Sequence, residues 1–148
     1  MSIPLADSLG HPTLTGTWLG KPADATFEQL THGMAAANFS HACAIGMWGQ
    51  DGYEPEKFIR QVQRFPQLYP VAGYRPGTME SVGAELDALK QMGYRGIKLH
   101  ARFSKLNVFD PIMGEILREA SRRDLVVFYC TYMHTSLDQW PAGDPFLA

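Results

Sequence analysis

Five short apolar runs, alternating with amphipathic helical stretches and separated by glycine or proline, constrain this chain more than any other feature. The runs lie near residues 3–7, 41–47, 68–74, 96–100 and 125–130. Four helical stripes separate them: Phe27, Leu30, Met34 and Ala37; Phe58, Val62 and Phe65; Val82, Leu86 and Leu89; and Ile112, Ile116, Leu117 and Ala120. Thr26 and Gln29 have the spacing of a capping box. Pro55 stands at a first turn, and Asp110-Pro111 gives an N-cap followed by proline at the first helical position. Asn38, Pro66 and Gly93 close the first three helices. The segment Thr13–Ala25 has no clean period and reads as loop, and Pro70 is tolerable in the third run only near its start.

Such alternation predicts a parallel α/β sheet, because parallel strands need helical crossovers. Right-handed crossovers that never reverse direction curl the sheet toward a barrel. The expectation is therefore five parallel strands, neighbours in sequence order, with closure requiring eight. A flavodoxin-like sheet is the competing arrangement, although no Gly-rich or Ser/Thr-rich phosphate loop follows the first run. The tail 131–148, carrying Pro141, Gly143 and Pro145, reads as irregular. Residues 1–148 thus form a single domain, an incomplete (β/α) barrel.

Charged residues make up only 19% of the chain, against about 25% in soluble domains. That deficit, with the two open edges of a five-strand arc, predicts a homo-oligomer or a part of a longer chain. The net charge of −2 argues against nucleic acid and anionic membranes as partners. No run of 18 apolar residues and no basic-then-apolar start is present, so a cytoplasmic location is expected. Cys43 and Cys130 read as reduced thiols.

The fourth run, Gly93-Tyr94-Arg95-Gly96-Ile97-Lys98-Leu99-His100, carries the chemistry. Ile97 and Leu99 point to one side of a strand, and Lys98 and His100 to the other. In a barrel the second pair enters the lumen at the carboxyl end, where catalysis is done; on an edge strand they would merely be solvated. Lys98 is either a clamp for a substrate carboxylate or a structural lysine paired with an acid. Trp48 and Arg75 follow the second and third runs and would line the same mouth, as substrate contacts or, for the tryptophan, as a lid on the core. Cys130 ends the fifth run, beside Phe128 and Tyr129, which offer nothing cationic to lower its pKa.

The same octapeptide resembles the G-[FY]-R-G-[IV]-K-L-H run of the amidohydrolase-2 family. These are metal-dependent TIM-barrel hydrolases and decarboxylases, among them aminocarboxymuconate semialdehyde decarboxylase. An aspartate-led loop after the first run, Arg64-Phe65-Pro66 before the third, and Asp110-Pro111 before the fifth fit the same order. The resemblance implies a TIM-type barrel, a divalent metal (usually zinc) and hydrolysis or decarboxylation of a small carboxylated compound. Its Asp-x-His-x-His metal loop falls on Asp7-Ser8-Leu9-Gly10-His11, where Leu9 replaces the first histidine. Cys130 stands where the family has its fifth-strand histidine, and His134 or His100 is left as a third ligand. A catalytic zinc needs about three protein ligands and leucine cannot be one, so the resemblance implies a metal site reduced to His11 and Cys130.

The resulting expectation is an amidohydrolase-like mouth with Lys98 and His100 as catalytic groups, Trp48 and Arg75 on the substrate, and a small anionic molecule as ligand. The alternative is a non-catalytic module that binds small anions at a vestigial, metal-free site.

Overall fold

The computed structural model describes residues 4–130. The tail 131–148, with His134, lies outside the described residues, as does Ile3 at the start of the first run. The elements in chain order are β1 (Leu5–Gly10), β2 (Thr17–Trp18), β3 (Lys21–Pro22), α1 (Phe27–Ala36), β4 (Phe39–Ile45) and α2 (Pro55–Val62). They continue with β5 (Leu68–Gly73), α3 (Val82–Met92), β6 (Gly96–His100), a π-helical turn (Ala101–Lys105), α4 (Pro111–Arg122) and β7 (Val126–Cys130).

The main sheet runs β1-β4-β5-β6-β7, every pair parallel. Each strand therefore lies beside the next strand of the main sheet in the chain, and β1 sits at an edge. A flavodoxin-like sheet would bury its first strand between two others. The chain is instead an arc of a TIM-type (β/α) barrel, with β1 and β7 as its edges among the described residues.

Local chemistry explains the boundaries. The Thr26 hydroxyl accepts the Gln29 N–H and caps α1, and the Ser81 hydroxyl accepts the Ala84 N–H and caps α3. Gly93 ends α3 in the left-handed region, at a φ of 105°, where a side chain would be strained. Pro70 occupies the interior of β5 without loss. Its carbonyl accepts the Arg95 N–H at 3.0 Å, so the donor it lacks would face Gly93, ahead of β6.

Register assigns the two faces of the sheet. Ala42, Ala44, Leu68, Ala72, Ile97 and Leu99 join one core cluster with the helical residues Phe58, Leu86 and Ile116. Burying these side chains under one layer of helices supplies most of the stabilisation, at roughly 25 cal/mol per Å² of apolar surface. The alternate residues, including Cys43, Val71, Gly73, Lys98, His100, Phe128 and Cys130, face the concave side, the lumen of the arc.

Three details differ from the sequence reading. Thr13–Ala25 contains the β2–β3 hairpin, pinned by the Asp51 carboxylate, which accepts from the Thr17 hydroxyl and from the Leu19 and Gly20 N–H groups. In α4, Met113 is buried and Leu117 is 49% exposed, because the inward stripe runs through Met113, Ile116 and Ala120. Asp110 precedes α4, but its carboxylate accepts the Asn107 N–H of the preceding turn at 2.6 Å and leaves the helix uncapped.

Candidate functional site at the carboxyl ends of the strands

Lys98 lies two residues before the end of β6 and points to the concave face, opposite Gly73 on β5 and Phe128 on β7. It is only 7% exposed, and among the described residues no carboxylate is ion-paired with it. Burial pushes its pKa down, and a thiolate at Cys130 would push it back up. An isolated ammonium of this kind is costly to hold in a core.

Gly73, in register with Lys98, lets the chain after β4 pack directly against β5. A Cβ there would stand 2.5 Å from the Trp48 nitrogen and 2.7 Å from the Gly46 carbonyl oxygen, so only glycine lets these two chain segments approach.

His100 stands two residues on, in register with Cys130. Burial lowers its pKa, with the positive fields of Lys98, Arg102 and His11 adding to the effect, down to about 4. Its imidazole is therefore neutral at pH 7. Its Nδ1 is buried and has no hydrogen-bond partner among the described residues, a polar atom that a ligand or water would satisfy. The ring packs on Phe103 of the π-helical turn at a centroid distance of 4.3 Å, and the Arg102 guanidinium lies over that same Phe103 ring, 4.6 Å from its centroid. Ser104 fastens that turn to the end of β5 by donating to the Tyr74 carbonyl at 2.9 Å.

His11 follows β1 and comes to the same place. Its Nδ1 lies 3.2 Å from the Ile45 carbonyl, and its ring is 5.2 Å from that of Trp18. Burial lowers its pKa, partly offset by the hydrogen bond to the Ile45 carbonyl; the charge of Lys98 adds to the lowering, and that of Asp7 opposes it least. Cys43 is raised by burial and by the Asp7 carboxylate. Lys98 thus acts electrostatically on His11, His100 and Cys130 together. The four residues expected at the mouth share one neighbourhood, in which Lys98, with Arg102 nearby, faces two imidazoles whose pKa values are lowered.

The expected zinc does not fit the described residues. Leu9 is 52% exposed and carries no donor, and Asp7 spends one carboxylate oxygen on the Leu9 N–H at 2.9 Å. Among the described residues no group of three His, Cys, Asp or Glu side chains is placed to hold a metal ion.

Trp48 and Arg75 line a cavity of about 300 Å³ together with Gly73 and Tyr74 at the end of β5, the first turn of α2 and the face of α3, and none of His11, Lys98, His100 or Cys130 borders it. Two residues of consequence escaped the sequence reading. Arg102, two positions beyond His100, adds positive charge at the mouth. Glu85 is 3% exposed and accepts from the Tyr74 hydroxyl and from the Gly77, Thr78 and Met79 N–H groups, tying the β5–α3 loop to α3. Its place on the apolar stripe of α3, between Val82 and Leu89, was the available signal.

No family model and no curated protein matches this sequence. Solved structures do. One is that of a probable 2-pyrone-4,6-dicarboxylic acid hydrolase from Acinetobacter baumannii with citric acid bound. It has a TM-score of 0.62 and 18% identity over 86% of this chain and 49% of its own. Another, from Pseudomonas putida, is provisionally described as the same hydrolase, with a TM-score of 0.64 and 17% identity over 87% of this chain and 49% of its own. The likeness is one of fold, and the chain spans about half the length of these structures.

Proposed function

We propose that the concave mouth of this arc binds a small carboxylated compound through Lys98, as one wall of an amidohydrolase-2-type hydrolase site. The observation that carries the reading is the buried ammonium of Lys98, which no described carboxylate neutralises, together with the Nδ1 of His100, which has no hydrogen-bond partner among the described residues. A core tolerates such a charge poorly, so its retention fits a ligand that supplies the missing anion. The structures sharing the fold support a carboxylated ligand: two are described as hydrolases of a pyrone dicarboxylic acid, and one holds citric acid.

Each residue has a distinct part in this reading. Lys98 holds a carboxylate, or the oxyanion that develops as an ester or lactone carbonyl is attacked. His100, neutral at pH 7, offers Nδ1 as a hydrogen-bonding partner to the ligand or to a water beside it. His11 stays neutral and orients on the Ile45 carbonyl. No step is assigned to a metal, because the described donors do not make a site for one.

A second reading, a binding module without catalysis, is favoured by that same missing donor set. The two differ in turnover and share the anion site. Isothermal titration with citrate tests the shared premise, and release of acid from a small carboxylated lactone tests the hydrolytic part. Citrate binding that survives intact in Lys98→Met would remove the basis of both.

A further inference from the structure

We infer that the cavity between α2 and α3 is a second ligand site, selective for a monocarboxylate with a large apolar or aromatic body. At about 300 Å³ it holds about a dozen non-hydrogen atoms, at the small end of ligand pockets. Its walls are Trp48, Leu89 and Met92, with Met79 at 48% exposure on the loop before α3. An aromatic body finds both a flat indole and two polarisable thioethers to pack against.

The charges of the cavity set the polar end of the ligand. Arg75 lines it, is exposed, and has no ion pair among the described residues. A guanidinium left free over an apolar cavity is suited to a carboxylate, which it can hold through two parallel hydrogen bonds. Two acidic residues also line the cavity. Glu85 is saturated by the donors already described and offers nothing to a ligand. Glu56, on the first turn of α2, has no ion-pair partner among the described residues. A second negative charge on the ligand would meet Glu56 uncompensated, which excludes the polycarboxylates expected in the lumen. Gly73, opposite Lys98 on β5, also lines this cavity, but none of His11, Lys98, His100 or Cys130 does, so the two sites use different charged groups.

Isothermal titration with 3-phenylpropionate, and with 3-phenylpropan-1-ol as its neutral counterpart, tests the assignment. The acid should bind with a submillimolar Kd and the alcohol about tenfold more weakly. Arg75→Gln, at an exposed position, should weaken the acid about tenfold and leave the alcohol unchanged. Ala88→Phe, which fills the cavity from α3, should abolish binding of both. Lys98→Met should change neither. No binding by the unmodified chain, equal affinity for acid and alcohol, no effect of Arg75→Gln, or loss of binding in Lys98→Met would each overturn the inference.

Discussion

Replacing Lys98 by methionine separates a lysine kept for a ligand from one kept for the fold. The two side chains are similar in length, and the position is 7% exposed with no described ion pair. Burial of the ammonium lowers its pKa, so in the window between the folded value and the ordinary lysine value the unfolded chain holds more protons than the folded one. Folding therefore bears a cost at neutral pH that fades as pH rises to the ordinary lysine range. Methionine has no such cost, and Lys98→Met should stabilise the chain by about 1–2 kcal/mol at pH 7, the scale of a poorly compensated buried polar group. It should also weaken citrate by about 10- to 100-fold, because a charge-assisted hydrogen bond is worth roughly 1.5–3 kcal/mol. Urea denaturation followed by circular dichroism reads the first effect and isothermal titration the second. A variant destabilised by 2 kcal/mol or more that still binds citrate as before would show that Lys98 serves the fold, and the reasoning would fail.

Acidification tests the environment of His100. With a folded pKa of about 4 against an ordinary 6.5, its contribution to stability is complete above 6.5 and is lost as pH falls toward 4. Urea midpoints at pH 7 and 4.5 should show the unmodified chain losing about 1–2 kcal/mol more than His100→Gln, the full linkage being reduced by partial solvation of the ring; equal losses would count against the buried, cation-flanked imidazole. Gly73→Ala should destabilise by about 3 kcal/mol in the same assay, since its Cβ meets the backbone of Trp48 and Gly46 at 2.5 and 2.7 Å. Gly33→Ala, in α1 with nothing within 4 Å, should instead stabilise by about 0.5–1 kcal/mol. Leu9→His restores the two-histidine loop of the resembled pattern and should raise zinc affinity in equilibrium dialysis; tight zinc binding by the unmodified chain, unaltered by the substitution, would contradict the ligand assignment.

The order of the sheet was legible because periodicity and punctuation act locally. Glycine after α3 and proline at the starts of α2 and α4 fix boundaries whatever the rest of the chain does. The alternation in β6 likewise separated Lys98 and His100 from Ile97 and Leu99, and the core cluster takes only the latter pair. Long-range contacts were not legible. The β2–β3 hairpin has two-residue strands too short for a pattern and depends on Asp51, more than two dozen residues away. Nor could the sequence show that Trp48 and Arg75 would share a cavity with residues of α2 and α3, on other elements of the chain. Asp110 was matched to the correct boundary, yet its carboxylate found a nearer donor in Asn107.

The most direct measurement is isothermal titration of citrate into the unmodified chain at pH 7, after exhaustive treatment with chelator. A site built on Lys98 and neutral imidazoles predicts saturable binding that chelator does not weaken and that falls away as pH rises and the ammonium is lost. Binding that appears only when zinc is added back, or that is indifferent to Lys98, would contradict the account.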